Sequence, residues 1–92
     1  MGQAQQAPTR EENHRATEAL ELIFINLQVA QAEAEAFHGH INAAALEMPP
    51  GLPGEMRSAL AQLYSFAEDS MIRAREETRL ARSRLRAAGI VS

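Results

Sequence analysis

The chain has 92 residues with a formal net charge of −3, and 46% of its residues are apolar. This length holds one small domain, and chains so short usually need additional support, such as association, to be stable. The absence of cysteine excludes disulfides, thiolate metal sites and cysteine nucleophiles, and it favours a reducing, cytoplasmic location. The 18 alanines and nine arginines, set against four aromatic residues and no tryptophan, predict an all-α fold.

The first helix is predicted over residues 9–48. Residues 1–8 are polar and uncharged, and we expect them to form a disordered tail without a targeting signal. Thr9 and Glu12 have the spacing of a capping box, which marks a helix start. An apolar stripe then recurs at spacings of four and three, as in a coiled coil. Its members are Ala16, Leu20, Ile23, Leu27, Ala30, Ala34, Phe37, Ile41, Ala44 and Met48.

A proline- and glycine-rich loop is predicted over 49–54, because proline removes amide donors and disfavours helix at the residue before it. A second helix is predicted over 55–88, closed by Gly89, with a short tail at 90–92. Its apolar stripe comprises Met56, Leu60, Leu63, Ala67, Met71, Ala74, Thr78, Ala81, Leu85 and Ala88. Helices joined by so short a loop run antiparallel, so residues 9–89 are predicted to form a coiled-coil-like two-helix hairpin.

The hairpin is expected to associate, because eight of its twenty seam positions are alanine and each alanine buries little apolar surface. Further apolar residues lie off the two stripes, with Phe24 placed near the outer side of its helix. The residues that we predict at an oligomer interface are Leu22, Phe24, Ile25, Val29, Tyr64, Phe66 and Ile72. Two hairpins would form a four-helix bundle, with a larger homo-oligomer or a different protein partner as alternatives. No stretch is apolar enough to span a bilayer, so no membrane partner is expected.

A row of arginines on one face of the second helix is the candidate binding site. Its members are Arg75, Arg79, Arg82 and Arg86. Guanidinium groups hold phosphates by paired hydrogen bonds, so the row could bind a nucleotide, a cyclic nucleotide or RNA. Alternatively, it pairs with glutamates of the first helix, because residues 1–48 carry −5 and residues 49–92 carry +2. The glutamates expected to lie beside it are Glu11, Glu12, Glu18 and Glu21.

The segment His38-Gly39-His40 interrupts the first helix. Glu35 and His38 have the Glu-x-x-His spacing that ferritin-like bundles use for two metal ligands. Those sites also need carboxylates from other helices, so a surface pair is favoured and neither a metal nor a cofactor is predicted. Gly39 costs about 1 kcal/mol relative to alanine inside a helix. It either permits close approach of another backbone or marks a bend.

In size and topology the predicted hairpin resembles the RNA-binding hairpin regulators of plasmid copy number. More loosely, it is similar to small phage proteins that sequester cyclic nucleotides between subunits. The residues themselves include no catalytic triad and no phosphate-binding loop. The sequence therefore predicts a non-enzymatic protein that acts by association, as an adaptor, assembly factor or inhibitor, with anionic-ligand binding as the alternative and a ferritin-like metal site third.

Overall fold

The structure, a computed structural model, describes residues 7–91. Helix α1 spans Arg10–Leu46 and helix α2 spans Gly54–Ala87, and residues 7–91 contain no strand. The helices pack against each other in opposite directions, so the predicted all-α helical hairpin is confirmed. Residues 1–6 of the predicted N-terminal tail and Ser92 of the predicted C-terminal tail lie outside the described residues.

The start of α1 carries a complete capping box. The Thr9 amide donates a hydrogen bond to the Glu12 carboxylate at 2.8 Å, and the Glu12 amide donates one to the Thr9 hydroxyl at 3.1 Å. These bonds satisfy amides that have no partner within the helix. The hydrogen bond from the Thr9 amide, and then the interaction of the Thr9 hydroxyl with the same carboxylate, lower the pKa of Glu12 below its ordinary value. The predicted cap is confirmed.

The helix α1 ends two residues before the predicted boundary. Its last residue is Leu46, and residues 47–53 form the loop. Pro49 disfavours helical backbone at Met48, so the chain leaves the helix before it reaches the proline. Gly51 has a φ of 80° in the turn, a conformation that residues with a side chain rarely adopt.

The end of α2 is closed by a Schellman motif. The helix ends at Ala87, one residue before the predicted boundary, and Gly89 has a left-handed φ of 77°. The Ile90 amide donates to the Leu85 carbonyl at 2.9 Å, and the Gly89 amide donates to the Arg86 carbonyl at 3.0 Å. These are the two bonds that define the motif, and they confirm that Gly89 terminates the helix.

The contact between the helices is centred on Phe24 of α1 and on Ala67 and Thr78 of α2. Their exposed fractions are 7%, 0% and 2%. Because Ala67 has only a methyl group, the helices approach closely there. The Thr78 hydroxyl donates to the Ala74 carbonyl at 2.7 Å, which satisfies its hydrogen-bonding need inside the contact.

The face of α1 that contacts α2 differs from the predicted stripe. Its buried and partly buried apolar and polar members include Thr17, Phe24, Leu27, Gln31, Ala34, His38, Ile41 and Ala45. Ile23 and Phe37, which the prediction placed in the seam, remain 61% and 37% exposed. The contact face is therefore shifted by one residue at several positions, with Phe24 occupying the place predicted for Ile23. The placement of Phe24 near the outer side was wrong.

The predicted stripe of α2 agrees better with the contact that forms. Its buried and partly buried members are Leu60, Ala67, Met71, Ala74, Thr78, Ala81 and Leu85. The exceptions are Met56 and Leu63, nearer the loop, which remain 59% and 49% exposed, and Ala88 at the other end, which is also exposed. The mismatch on both helices therefore leaves large apolar side chains in contact with solvent.

The hairpin is a rod with extents of 69 × 31 × 17 Å. The whole chain of 92 residues exposes 7274 Å² of surface, whereas a compact monomer of 10.1 kDa exposes about 5300 Å². The chain therefore leaves roughly 2000 Å² more surface in water than a globular chain of its mass.

Candidate interaction surfaces

All but one of the large apolar side chains that are exposed among residues 7–91 lie on two surfaces of the hairpin. The first, which we call the groove face, lies along one side of the contact between the helices. It comprises Leu20, Ile23, Phe37, Met48, Met56, Leu63 and Phe66. The second lies on α1 opposite α2 and is described below. Ile72, which is 55% exposed, belongs to neither surface.

The groove face has apolar side chains at both ends, and two aromatic rings, one from each helix, contact each other between them. Phe37 and Phe66 meet edge to face, with ring centroids 6.3 Å apart and planes at 72°. An open hollow of about 350 Å³ at the loop end has only apolar lining residues: Met48, Leu52, Met56, Ala59, Leu60 and Leu63. Contiguous exposed apolar surface of this kind marks interaction sites in soluble proteins.

Charges of both signs lie beside the middle of the groove face. A hollow of about 400 Å³ is lined by Asp69, Arg73 and Glu77 next to Leu27 and Phe66. Within residues 7–91, none of these three charged side chains forms an ion pair shorter than 4 Å. A partner that binds to the groove face would therefore meet a positively charged guanidinium group and negatively charged carboxylates.

The second surface, which we call the back stripe, runs along the side of α1 opposite α2. Its members are Leu22, Ile25, Val29, Ala32, Ala36, Gly39, Ala43 and Leu46, and all of them are exposed. They recur at alternating spacings of three and four, and none is charged. The back stripe therefore has the pattern of a coiled-coil seam, but α2 does not cover it.

The residues that were predicted at an oligomer interface and that the structure exposes lie in three environments. Leu22, Ile25 and Val29 are exposed on the back stripe, Phe66 lies on the groove face, and Ile72 lies apart from both. The structure thus divides what the sequence suggested as one interface into separate surfaces.

Two of the predicted interface residues pack within the hairpin instead. Phe24 is 7% exposed because it packs against α2, so assigning it to an outer interface was a mistake. Tyr64 is partly buried, and its ring lies 5.4 Å from that of His38 between the helices.

The arginine row contributes one ion pair between the helices. The Arg75 guanidinium donates to the Glu35 carboxylate at 3.0 Å, and Gln31 donates to the same carboxylate at 2.8 Å. The bond from Arg75 and then that from Gln31 lower the pKa of Glu35 below its ordinary value. The partner of Arg75 is therefore Glu35, which lies well beyond the four glutamates expected from the sequence.

Two further arginines of the row interact within the hairpin. Arg79 donates two hydrogen bonds, of 2.6 and 3.1 Å, to Glu76 on its own helix. The Arg82 guanidinium carbon lies 5.3 Å from the centre of the Phe24 ring, which is a cation–π contact across the hairpin. Arg86 also interacts with another group. The row is therefore occupied to a large extent by contacts within one chain.

Glu35 and His38 each interact with other side chains of the hairpin. Glu35 binds Arg75 and Gln31, whereas Nδ1 of His38 lies 3.4 Å from the side-chain nitrogen of Asn42. Nε2 of His38 is buried without a hydrogen-bond partner. In the part of the chain that the structure describes, no three His, Asp or Glu side chains are grouped so as to hold a metal ion.

Sequence reasoning missed the groove face and part of the back stripe. It assigned Ile23 and Leu63 to the seam inside the hairpin, so their exposure was not anticipated. The continuation of the back stripe through Gly39, Ala43 and Leu46 could have been found, because the spacing of three and four persists to the end of α1.

The fold defines the protein as an antiparallel helical hairpin. Over residues 7–91, neither helix combines the length and the apolar character that crossing a membrane requires. No family model matches the chain, and no curated protein or solved structure is significantly similar to it.

Proposed function

We propose that the protein is a non-enzymatic association module that acts as an adaptor, assembly factor or inhibitor. Its working unit is a pair of hairpins joined through their groove faces in a four-helix bundle. The observation that carries this proposal is the groove face, where seven large apolar side chains are exposed along one side of the hairpin. Removing such surface from water stabilises a complex by about 25 cal/mol per Å². The absence of cysteine supports a cytoplasmic location.

The available surface is large enough for a stable complex. The hairpin exposes roughly 2000 Å² more than a compact chain of its mass, whereas a standard protein interface takes about 800 Å² from each partner. Pairing through the groove face can therefore use less than half of the excess and leave surface for another contact.

The charges beside the groove favour a second copy as the occupant. A two-fold interface brings the same patch of both subunits together, so the patch must carry both signs to be complementary to itself. Arg73 lies one helical turn from both Asp69 and Glu77, so a second copy offers carboxylates to each arginine. A partner of one charge sign would leave like charges facing each other.

Sedimentation equilibrium at micromolar concentration tests this proposal. Ile23→Asp places a charge on the groove face, and the hairpin should still fold because Ile23 is 61% exposed. Ile72→Asp is the matched control, since Ile72 is 55% exposed but lies off the groove. We expect the wild type to associate, Ile23→Asp to weaken association at least about tenfold, and Ile72→Asp to resemble the wild type.

Two results would contradict the proposal. One is a wild-type protein that sediments with the 10.1 kDa mass of a single chain. The other is equal weakening by Ile23→Asp and Ile72→Asp, which would indicate an effect of charge irrespective of position. Circular dichroism of both variants, recorded at the same concentration, checks that the helices remain intact.

Anionic-ligand binding by the arginine row has less support. Arg75, Arg79 and Arg82 each already interact with a group of the same chain. A phosphate would have to displace these contacts or share the guanidinium groups with them.

A further inference from the structure

The back stripe lies on the opposite side of α1 from α2, apart from the groove face, so pairing through the groove leaves it open. Leu22, Ile25 and Val29 are 62%, 51% and 50% exposed, and Leu46 is 88% exposed. A solvated helix face usually carries charged residues, whereas the back stripe carries none between positions 22 and 46. Its pattern is that of a seam that packs against another helix.

Gly39 supports the interpretation that another helix packs here. Glycine disfavours helix relative to alanine, and Gly39 lies in the interior of α1. A Cβ atom at this position would meet no atom within 4 Å, and its φ is not positive, so nothing in the hairpin requires glycine. Together with Ala36 and Ala43 it forms a stretch of small side chains, to which the backbone of a second helix can approach closely.

The order of side-chain sizes indicates which helix packs there. The three residues at the N-terminal end of the stripe are large, and the next four are small. When a second α1 runs antiparallel, Ile25 and Val29 face small residues, Leu22 and Leu46 face each other at the two ends, and the whole stripe is used. The facing pairs are Leu22 with Leu46, Ile25 with Ala43, Val29 with Gly39, and Ala32 with Ala36. A parallel pair would instead place Ile25 against Ile25 and hold the helices apart where Gly39 faces Gly39.

We propose that the back stripe is a second self-docking surface, on which α1 of another hairpin packs antiparallel. The two-fold axis of this contact passes at the level of Ala34, between Ala32 and Ala36. Since the contact uses no residue of the groove face, it exists whether or not the groove faces pair. The excess exposed surface of roughly 2000 Å² per chain is sufficient for two standard interfaces.

The charges flanking the back stripe give this contact a specific salt dependence. Glu33 and Glu35 lie beside it near the axis, and Arg75 already neutralises Glu35 at 3.0 Å. Two copies of Glu33 therefore come close together and repel. Because salt screens this repulsion, the contact should tighten as salt is added. Capture of a basic helix from another protein would weaken with salt, and that result would overturn a second copy as the occupant.

Substitution of Gly39 separates docking from folding. The experiment uses the full chain with Ile23→Asp, so that the groove face does not contribute. Adding Gly39→Leu places a large side chain in the stretch of small side chains, so we expect at least about a tenfold loss of association. The melting temperature should not fall, because leucine favours helix more than glycine does. The control is Ala61→Leu, which adds the same side chain at an exposed position of α2. Equal association of the two variants would overturn the back-stripe contact and leave the groove-face proposal unaffected.

Cross-linking tests the orientation. The chain has no cysteine, so Val29→Cys and Gly39→Cys each introduce a single thiol. In the antiparallel contact, residue 29 faces residue 39 of the other copy, whereas two copies of residue 29 are about 15 Å apart. A short thiol-to-thiol cross-linker should therefore form cross-linked dimers when the two variants are mixed. It should form none with either variant by itself. Cross-linking within each variant alone would indicate parallel pairing and overturn the proposal.

Discussion

The two helices of the hairpin differ in what surrounds their apolar residues. α1 is apolar on the side that contacts α2, on the groove face and along the back stripe. α2 is apolar on its contact side and near the loop, while the side that carries the arginine row is polar. Both helices contribute to the groove face, α2 through Met56, Leu63 and Phe66. The back stripe belongs to α1 alone, so α1 carries the larger share of the exposed apolar surface, whereas the polar side of α2 keeps the hairpin solvated.

The largest effect is expected from the one phenylalanine of α1 that α2 buries. Phe24→Ala should lower the free energy of unfolding by about 3 kcal/mol, because it removes a buried ring and leaves a cavity. Phe66→Ala on α2 should cost only about 1 kcal/mol, since Phe66 is 63% exposed and contacts Phe37 at its edge. Urea unfolding at low protein concentration measures the two losses of unfolding free energy. Both variants also carry Ile23→Asp. Equal losses would contradict the difference between the buried and the exposed ring.

A smaller effect is expected at the polar side of α2. Arg82→Ala should destabilise the hairpin by about 0.5–1 kcal/mol, because it removes the cation–π contact with Phe24.

Titration of the wild type with inorganic phosphate, cyclic nucleotides and short RNA at low salt should show no saturable binding. Binding that disappears in Arg79→Ala and weakens with salt would instead identify the arginine row as an anion site.

The smallest effect is the pH dependence of the ion pair between the helices. Because Arg75 and Gln31 lower the pKa of Glu35 in the folded chain, the ionised carboxylate contributes stability above its ordinary value of 4.5. This contribution is lost as the pH falls through the lowered value. Glu35→Gln removes it, so the urea midpoints of wild type and variant should differ near neutral pH and converge in acid. If the difference in urea midpoint persisted at a pH well below the ordinary pKa of glutamate, the ion pair would not be the source of that difference.

The ends of the helices were predictable because their signals are local. Thr9 and Glu12 complete a capping box within one turn, and Gly89 closes α2 through bonds to residues a few positions earlier. The boundary at Leu46 was less predictable, since the influence of Pro49 on the preceding residues is a preference with no fixed range.

The rotation of α1 about its axis could not be predicted. Ile23 and Phe24 are adjacent, both are large and apolar, and each belongs to a stripe with spacings of three and four. Periodicity establishes the helix but does not select between overlapping stripes when a helix is apolar on several sides. The Arg75–Glu35 pair was missed for a related reason, because it depends on how the two helices are aligned.

The surfaces for association were only partly predictable. Leu22, Ile25 and Val29 were expected to be exposed, and they are. The groove face depends on residues such as Ile23 and Leu63 that a heptad pattern places in a seam, and only the geometry of the pair shows that they remain in solvent. Which molecule covers an apolar face follows from its shape and charge, and those are properties of the assembled hairpin.

The elongation of the hairpin separates its hydrodynamic size from its mass. Its radius of gyration is 20.8 Å, whereas a compact chain of this length has about 12 Å and a value near 21 Å corresponds to roughly 370 residues. The elongated shape should therefore slow the end-over-end rotation of one hairpin relative to a compact chain of the same mass. Pairing side by side thickens the rod without lengthening it, so association should change its longest dimension much less than its mass.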